Sequence, residues 1–336
     1  MEVHSDEAYY RLYGLYPAWG YYDHPPMVGW AVWLSSLFFN GNLGIRFITV
    51  LTHAATLTAT WAASGIRTPD RRQTLMFFIT AASCFMFQGY GFLTTPDSYL
   101  LFFTALFLYS FKKFLEKEDW SATLLLALSM TGMLYSKYHG VLVILFTIIS
   151  CPGLLTKKKA WAAAAMTCAL MLPHLLWQAT NGFPSLRYHL ADRSTGFSFP
   201  DMLGYLPTQL VVFNPVTLLI FTYIIIKHRA ADQFEKTCRW LVVGFIAFFM
   251  LATLKGHVEP HWTVAASIPL ILTVFRHVSG SDRLQRLTCR LTVPTIALTI
   301  VARILFLTQS CPSTWASTGN MTNTHPWQKR RGLTYR

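Results

Sequence analysis

What most limits how this 336-residue chain can fold is the recurrence of apolar runs, each about fifteen to twenty-two residues long and each ended by a short polar stretch. Runs of that length suit a chain that threads a bilayer many times. Only 13% of residues are Asp, Glu, Lys or Arg, about half the share in a soluble globular domain. The mean hydropathy of +0.37 has the wrong sign for a soluble enzyme. Soluble Rossmann, barrel and sandwich enzymes are thereby excluded. The 15% aromatic content excludes disorder. The runs predict an all-α polytopic membrane protein with about ten spans, near 44–65, 74–93, 98–114, 121–136, 139–155, 160–177, 207–227, 238–254, 262–277 and 291–308. The apolar stretch Pro26–Phe39 is about one turn too short to cross, and its two tryptophans predict a helix lying in the interface. Three regions follow: an outer loop with this helix (1–43), a transmembrane domain (44–308) and a polar C-terminal tail (309–336).

The formal charge of +13 comes from 28 basic and 15 acidic residues. Their placement argues against nucleic acid as a partner, because the basic residues sit in small clusters between apolar runs. One alternate set of loops holds seventeen of the 28, from Arg67, Arg71 and Arg72 through to Arg283, Arg286 and Arg290. The other set holds Arg11, Lys137, Arg187, Arg193 and Lys255, with Arg46 and Arg303 at or inside spans. The positive-inside rule assigns the first set to the cytoplasm. Six cysteines show no CxxC spacing and read as small buried hydrophobes. The polar opening, Met1 to Asp6, gives no sign of a signal peptide.

Six polar motifs then fall on the non-cytoplasmic side: Ser5–Tyr10, Gly20–Pro26, Thr94–Asp97, Ser136–Gly140, Asn181–Arg193 and Lys255–Trp262. Among their acids, Asp6, Glu7, Asp23, Asp97 and Glu259 lie near the membrane boundary. Partial desolvation there raises carboxylate pKa values toward those of useful bases. The alternative for Asp6 and Glu7 is a pair of solvated loop acids, or acids favoured by a helix N-terminus. Lys137, between two spans, either snorkels to headgroups or holds the phosphate of a membrane-embedded donor, with Arg187 and Arg193 adding charge-assisted bonds. Tyr138 and His139 read as hydrogen-bond donors or as interfacial belt residues. His257-x-Glu259-x-His261 resembles half a metal site, with His24 and Asp97 on the same face. A divalent cation is one reading of this set, and neutral loop histidines are the other. No cofactor is firmly implied.

The strings DEAYY, GYYDHPPMVGW, NLGIR, TTPDSYLLFF, YSKYHGVL, LLWQATNGFPSLRYHL and EPHW run in this order from residue 5 to about 270. In this combination the chain resembles bacterial PMT-like glycosyltransferases of the GT-C fold, the group of the protein O-mannosyltransferases and lipid A aminoarabinose transferases. The resemblance implies transfer of a sugar from a polyprenyl-phosphate donor to a lipid, glycan or protein acceptor. It places the reaction at the outer face of a bacterial inner (plasma) membrane, with membrane lipids as further partners. It puts the catalytic base on Asp6, with Glu7 supporting it, and Asp97 close to the reaction centre. Asp23, His24, Lys137, Tyr138, Arg187, Arg193, Glu259 and His261 are then substrate-binding candidates. Relative to the family pattern, the transmembrane helix before the acid pair and much of the C-terminal region are expected to be lacking. The alternative is a polytopic transporter or flippase of a lipid-linked or anionic substrate, which would place ionisable groups at the bilayer midplane.

Overall fold

The computed structural model describes residues 3–189 and 196–307, and every regular element among them is a helix. Two short helices come first, α1 (Ser5–Leu15) and α2 (Met27–Ser36). The helices that follow are α3 (Gly41–Ser64), α4 (Arg71–Ser83), α5 (Phe85–Gly89), α6 (Pro96–Glu116), α7 (Trp120–Ser136) and α8 (Gly140–Ser150). Then come α9 (Lys158–Thr180), the single turn α10 (Pro184–Arg187), α11 (Phe199–Phe213), α12 (Pro215–Lys227), α13 (Gln233–Ala252), α14 (Ser267–Ser279) and α15 (Asp282–Leu307). A 3₁₀ segment, Pro260–Ala266, leads directly into α14.

Helix or helix pairs occupy all ten predicted spans. Judged by length and composition, three described helices can cross a membrane alone: α6, α9 and the continuous Pro260–Ser279. The pair α11 and α12 makes a fourth when counted as one span. The remainder are shortened by breaks or diluted by polar residues. The stretch 74–93 is not one helix, since α4 stops at the extended residue Cys84 and α5 begins after it. The stretch 207–227 is likewise divided, and its first half starts earlier, at Phe199. α11 and α12 meet at 99°. The cause is local: Pro215 disfavours helical backbone at the residue before it, and Asn214 takes up a positive φ of 71°. The Asn214 side chain accepts from the Val216 N–H at 2.9 Å and donates to Thr295 Oγ1 at 2.8 Å, so the broken turn keeps its polar groups satisfied.

Helix starts follow ordinary capping chemistry. Asp70 and Gln73 form a reciprocal capping box on α4, and Asp119 accepts from the Ala122 N–H at 2.9 Å to begin α7. Within the bundle α6 packs on α3 and α7. Gly132 of α7 lets the two backbones approach, because a Cβ there would sit 2.1 Å from the Phe103 ring. Phe77, Phe87, Phe111, Phe213, Phe245 and Phe275 fill the interior. Buried threonines return their hydroxyls to their own helix, as Thr60 does to the Thr56 carbonyl at 2.7 Å.

In α2, Val28, Ala31 and Val32 are buried, while Trp33, Leu34 and, just beyond it, Leu37 and Phe38 are exposed. Both α1 and α2 share one apolar cluster with Tyr99 of α6. The compact unit to which they belong is Glu2–Thr295; a second unit begins at Ile296 and holds the last helical turns to Leu307. The predicted tail, 309–336, lies outside the described residues.

Candidate active site at the motif-bearing end of the helices

α1 carries the acid pair. His4 caps the helix by accepting from the Asp6 N–H at 3.3 Å, and Glu7 closes the box by accepting from the His4 N–H at 3.0 Å. That register turns Glu7, Tyr10 and Tyr13 inward and leaves Asp6 outside. Glu7 is fully buried. Its carboxylate meets Arg46 through two bonds, Nε–Oε1 at 2.7 Å and Nη2–Oε2 at 2.5 Å, and also accepts the Thr94 N–H at 3.1 Å. Burial pushes its pKa up, but the bonds from Arg46, His4 and Thr94 outweigh burial and hold it below the ordinary 4.5. The Glu7 carboxylate is thus committed to Arg46 and two backbone amides. Asp6 is 62% exposed at its side chain, with His4 Nδ1 3.8 Å away.

Asp23 is held from α1. Tyr9 and Tyr13 both donate to its Oδ1, at 3.0 and 2.5 Å, and Tyr13 stacks on Tyr21 at 3.8 Å between ring centroids. His24 stacks on Tyr10. The Asp23 carbonyl lies 3.0 Å from His189 Nε2, and Ser185 donates to the Tyr21 carbonyl at 2.8 Å. These contacts tie the Gly20–Pro26 motif to the 181–189 segment. Tyr138 joins the same network through His174 Nε2 at 3.1 Å and Gln178 Nε2 at 3.0 Å.

Asp97 stands in the first turn of α6, and Lys137 is the residue that ends α7. Both are buried. The Lys137 ammonium lies 2.8 Å from each Asp97 oxygen, and His261 Nε2 is 3.9 Å from Oδ2. Lys137 thus neither snorkels outward nor stands alone: its charge is met inside the protein. Glu259 is about one-third exposed, 3.6 Å from His257. His139 and Trp262 approach to 5.1 Å between rings, which closes the circuit between the 136–140 and 255–262 motifs.

All six predicted motifs are therefore connected by direct contacts at one end of the helices. Arg187 is exposed, and Arg193 lies outside the described residues. Among the described residues no three His, Cys, Asp or Glu side chains are grouped to hold a metal ion. His257, Glu259 and His261 are spread between Asp201 and Asp97 as separate pairs.

Sequence reading missed Arg46, His174, Gln178 and His189 as parts of this network. Arg46 and His174 had a usable signal, since an ionisable residue at the edge or inside of an apolar span is costly without a partner. His189 and Gln178 had none.

The fold is that of a polytopic, all-helical membrane protein. Residues 23–177 match the family model described as dolichyl-phosphate-mannose-protein mannosyltransferase. The chain is similar to the lipid A galacturonosyltransferase RgtD of Rhizobium johnstonii, at 24% identity over 278 residues, 78% of this chain and 58% of that protein. Its fold is similar to the crystal structures of ArnT from Cupriavidus metallidurans. The apo form aligns with a TM-score of 0.68 at 14% identity, covering 93% of this chain and 61% of that one. The form bound to undecaprenyl phosphate aligns with a TM-score of 0.68 at 15% identity, covering 94% and 62%. The chain spans about three-fifths of the length of these relatives.

Proposed function

We propose that the chain transfers a sugar from a polyprenyl-phosphate donor to a lipid, glycan or protein acceptor, at the non-cytoplasmic face of the membrane. The observation that carries this reading is the joining of the six polar motifs by direct contacts at one end of the helices, with one acid among them, Asp6, open to solvent. Glycosyl transfer needs a carboxylate that removes the proton of an acceptor hydroxyl, opposite a departing phosphate. In this reading Asp6 is the base. Glu7 fixes its position by locking α1 to Arg46 and Thr94. The donor phosphate lies at headgroup depth beside Lys137, which Asp97 orients, and exposed Arg187 approaches from the water side. The similarity to an ArnT structure titled as bound to undecaprenyl phosphate supports this donor class. The transporter reading is less well supported, because His174, inside a predicted span, bonds to Trp19 and Tyr138 and so belongs to the same end cluster.

The test is transfer from labelled polyprenyl-phosphate sugars in membranes containing the chain. Asp6→Asn is expected to lower turnover by roughly 10²–10⁴ without changing thermal stability, because the side chain makes no buried contact. Near-parental turnover in that variant removes Asp6 from the mechanism.

A further inference from the structure

The opposite ends of these helices hold a cavity that the proposed transfer does not use. Asp97 and Lys112 lie on α6 fifteen residues apart, about 22 Å along the helix. At the Lys112 end a cavity of about 260 Å³ opens between the ends of α3, α4, α6, α13 and α14. Its polar lining is Ser64, Gln73, Lys112, Glu235, Thr273, Arg276 and Ser279, and Phe234 and Phe275 form an apolar wall. Lys112 donates to the Ala63 and Ser64 carbonyls at 3.0 and 2.9 Å, neutralising the C-terminus of α3.

The charges around the cavity do not cancel. Buried Glu235 accepts two bonds from Arg239 and lies 2.9 Å from His277 Nε2. Arg276 bonds Asp232 at 2.7 Å and approaches Glu235 at 3.5 Å. Glu116 also acts on Lys112, but its own partner is Lys113, at 3.4 Å. Among the residues that line the cavity, Lys112 and Arg276 thus face Glu235, one cation in excess. An excess of cation, hydroxyl and amide donors, and one apolar wall in a niche between helices suit an anionic head on a short apolar stem. Basic niches of this kind on the Lys/Arg-rich side of membrane proteins take lipid phosphates.

We propose that this cavity binds a phosphate group, with Lys112 and Arg276 meeting its charge and Ser64, Gln73 and Ser279 its oxygens. The phosphate is either that of an anionic lipid head or a free one. The full chain in phosphatidylcholine nanodiscs is titrated with inorganic phosphate against sodium chloride at equal ionic strength. In parallel it is placed in nanodiscs containing phosphatidylglycerol, with the unfolding midpoint read in both arms. A rise with inorganic phosphate identifies a free-phosphate site; a rise with phosphatidylglycerol alone identifies a headgroup site. Lys112→Gln is expected to weaken the response roughly fivefold. Because that variant also loses the cap on α3, Ser279→Phe is the second probe. It fills the cavity and leaves every ion pair in place, and it is expected to abolish the response. If neither phosphate nor phosphatidylglycerol shifts the parent, or if Ser279→Phe responds as the parent does, the proposal fails.

Discussion

The two ends of the bundle use buried carboxylates differently. At the motif-bearing end, Glu7 and Asp97 each take one permanent cation, Arg46 and Lys137, and these pairs are balanced. The acid left in the open is Asp6. At the Lys/Arg-rich end, Glu235 alone is met by Arg239, Arg276 and His277. The first arrangement fixes α1 beside an acid that carries no such cation. The second surrounds one buried carboxylate with an excess of cations. Charge balance, more than the number of polar residues, separates the two ends.

The largest expected effect comes from breaking a balanced pair. Lys137→Met leaves Asp97 buried without its cation and is expected to cost about 3–5 kcal/mol. The readout is the melting temperature of the detergent-solubilised protein. Pairing it with Asp97→Leu should recover most of that loss while leaving transfer activity abolished. Recovery of both would make the pair merely structural. Glu7→Gln comes next. It keeps the shape but loses the charged bonds to Arg46, worth about 1.5–3 kcal/mol. Faster hydrogen exchange should appear in the α1 amides before any other helix. Uniform exchange across the bundle would contradict a local anchoring role.

Acidification tests the same anchor without mutation. The Glu7 pKa is lowered in the folded state, so its contribution is fully present above the ordinary carboxylate value and is lost as pH falls through the lowered one. α1 protection should therefore fade only at strongly acidic pH, and Glu7→Gln should remove that dependence. The smallest effect is expected at the exposed pairs of the basic end. Lys113→Ala breaks a half-exposed contact to Glu116 and should shift stability by less than about 0.5 kcal/mol. A larger loss would mean that this end is held by its surface pairs as well as by Glu235.

The helical, membrane-spanning character was legible because hydropathy is local and repeats. The division at Asn214 was written in the Asn-Pro step, but the apolar residues on either side concealed it. The acid pair was legible as a pair, yet its division of labour depends on helix register: Glu7, Tyr10 and Tyr13 share the inward face of α1, and reading that spacing would have separated Glu7 from Asp6. The Asp97–Lys137 bond joins residues forty positions apart, and nothing in a single sequence encodes such a partner. The same holds for Arg46, which reads as the polar edge of a span until Glu7 is placed against it.

Glu7 has a second consequence, for the order in which the chain assembles. One carboxylate both starts α1, through the His4 amide, and docks it, through Arg46 and the Thr94 amide. Until α3 and the start of α6 are in place, the carboxylate has only the local bond, and an eleven-residue helix with one cap is marginal in water. α1 therefore forms late, on a platform that must already exist. The segment bearing Asp6 becomes ordered only after the two helices that carry its anchors have inserted, so a chain halted partway through insertion would leave Asp6 on an unanchored segment.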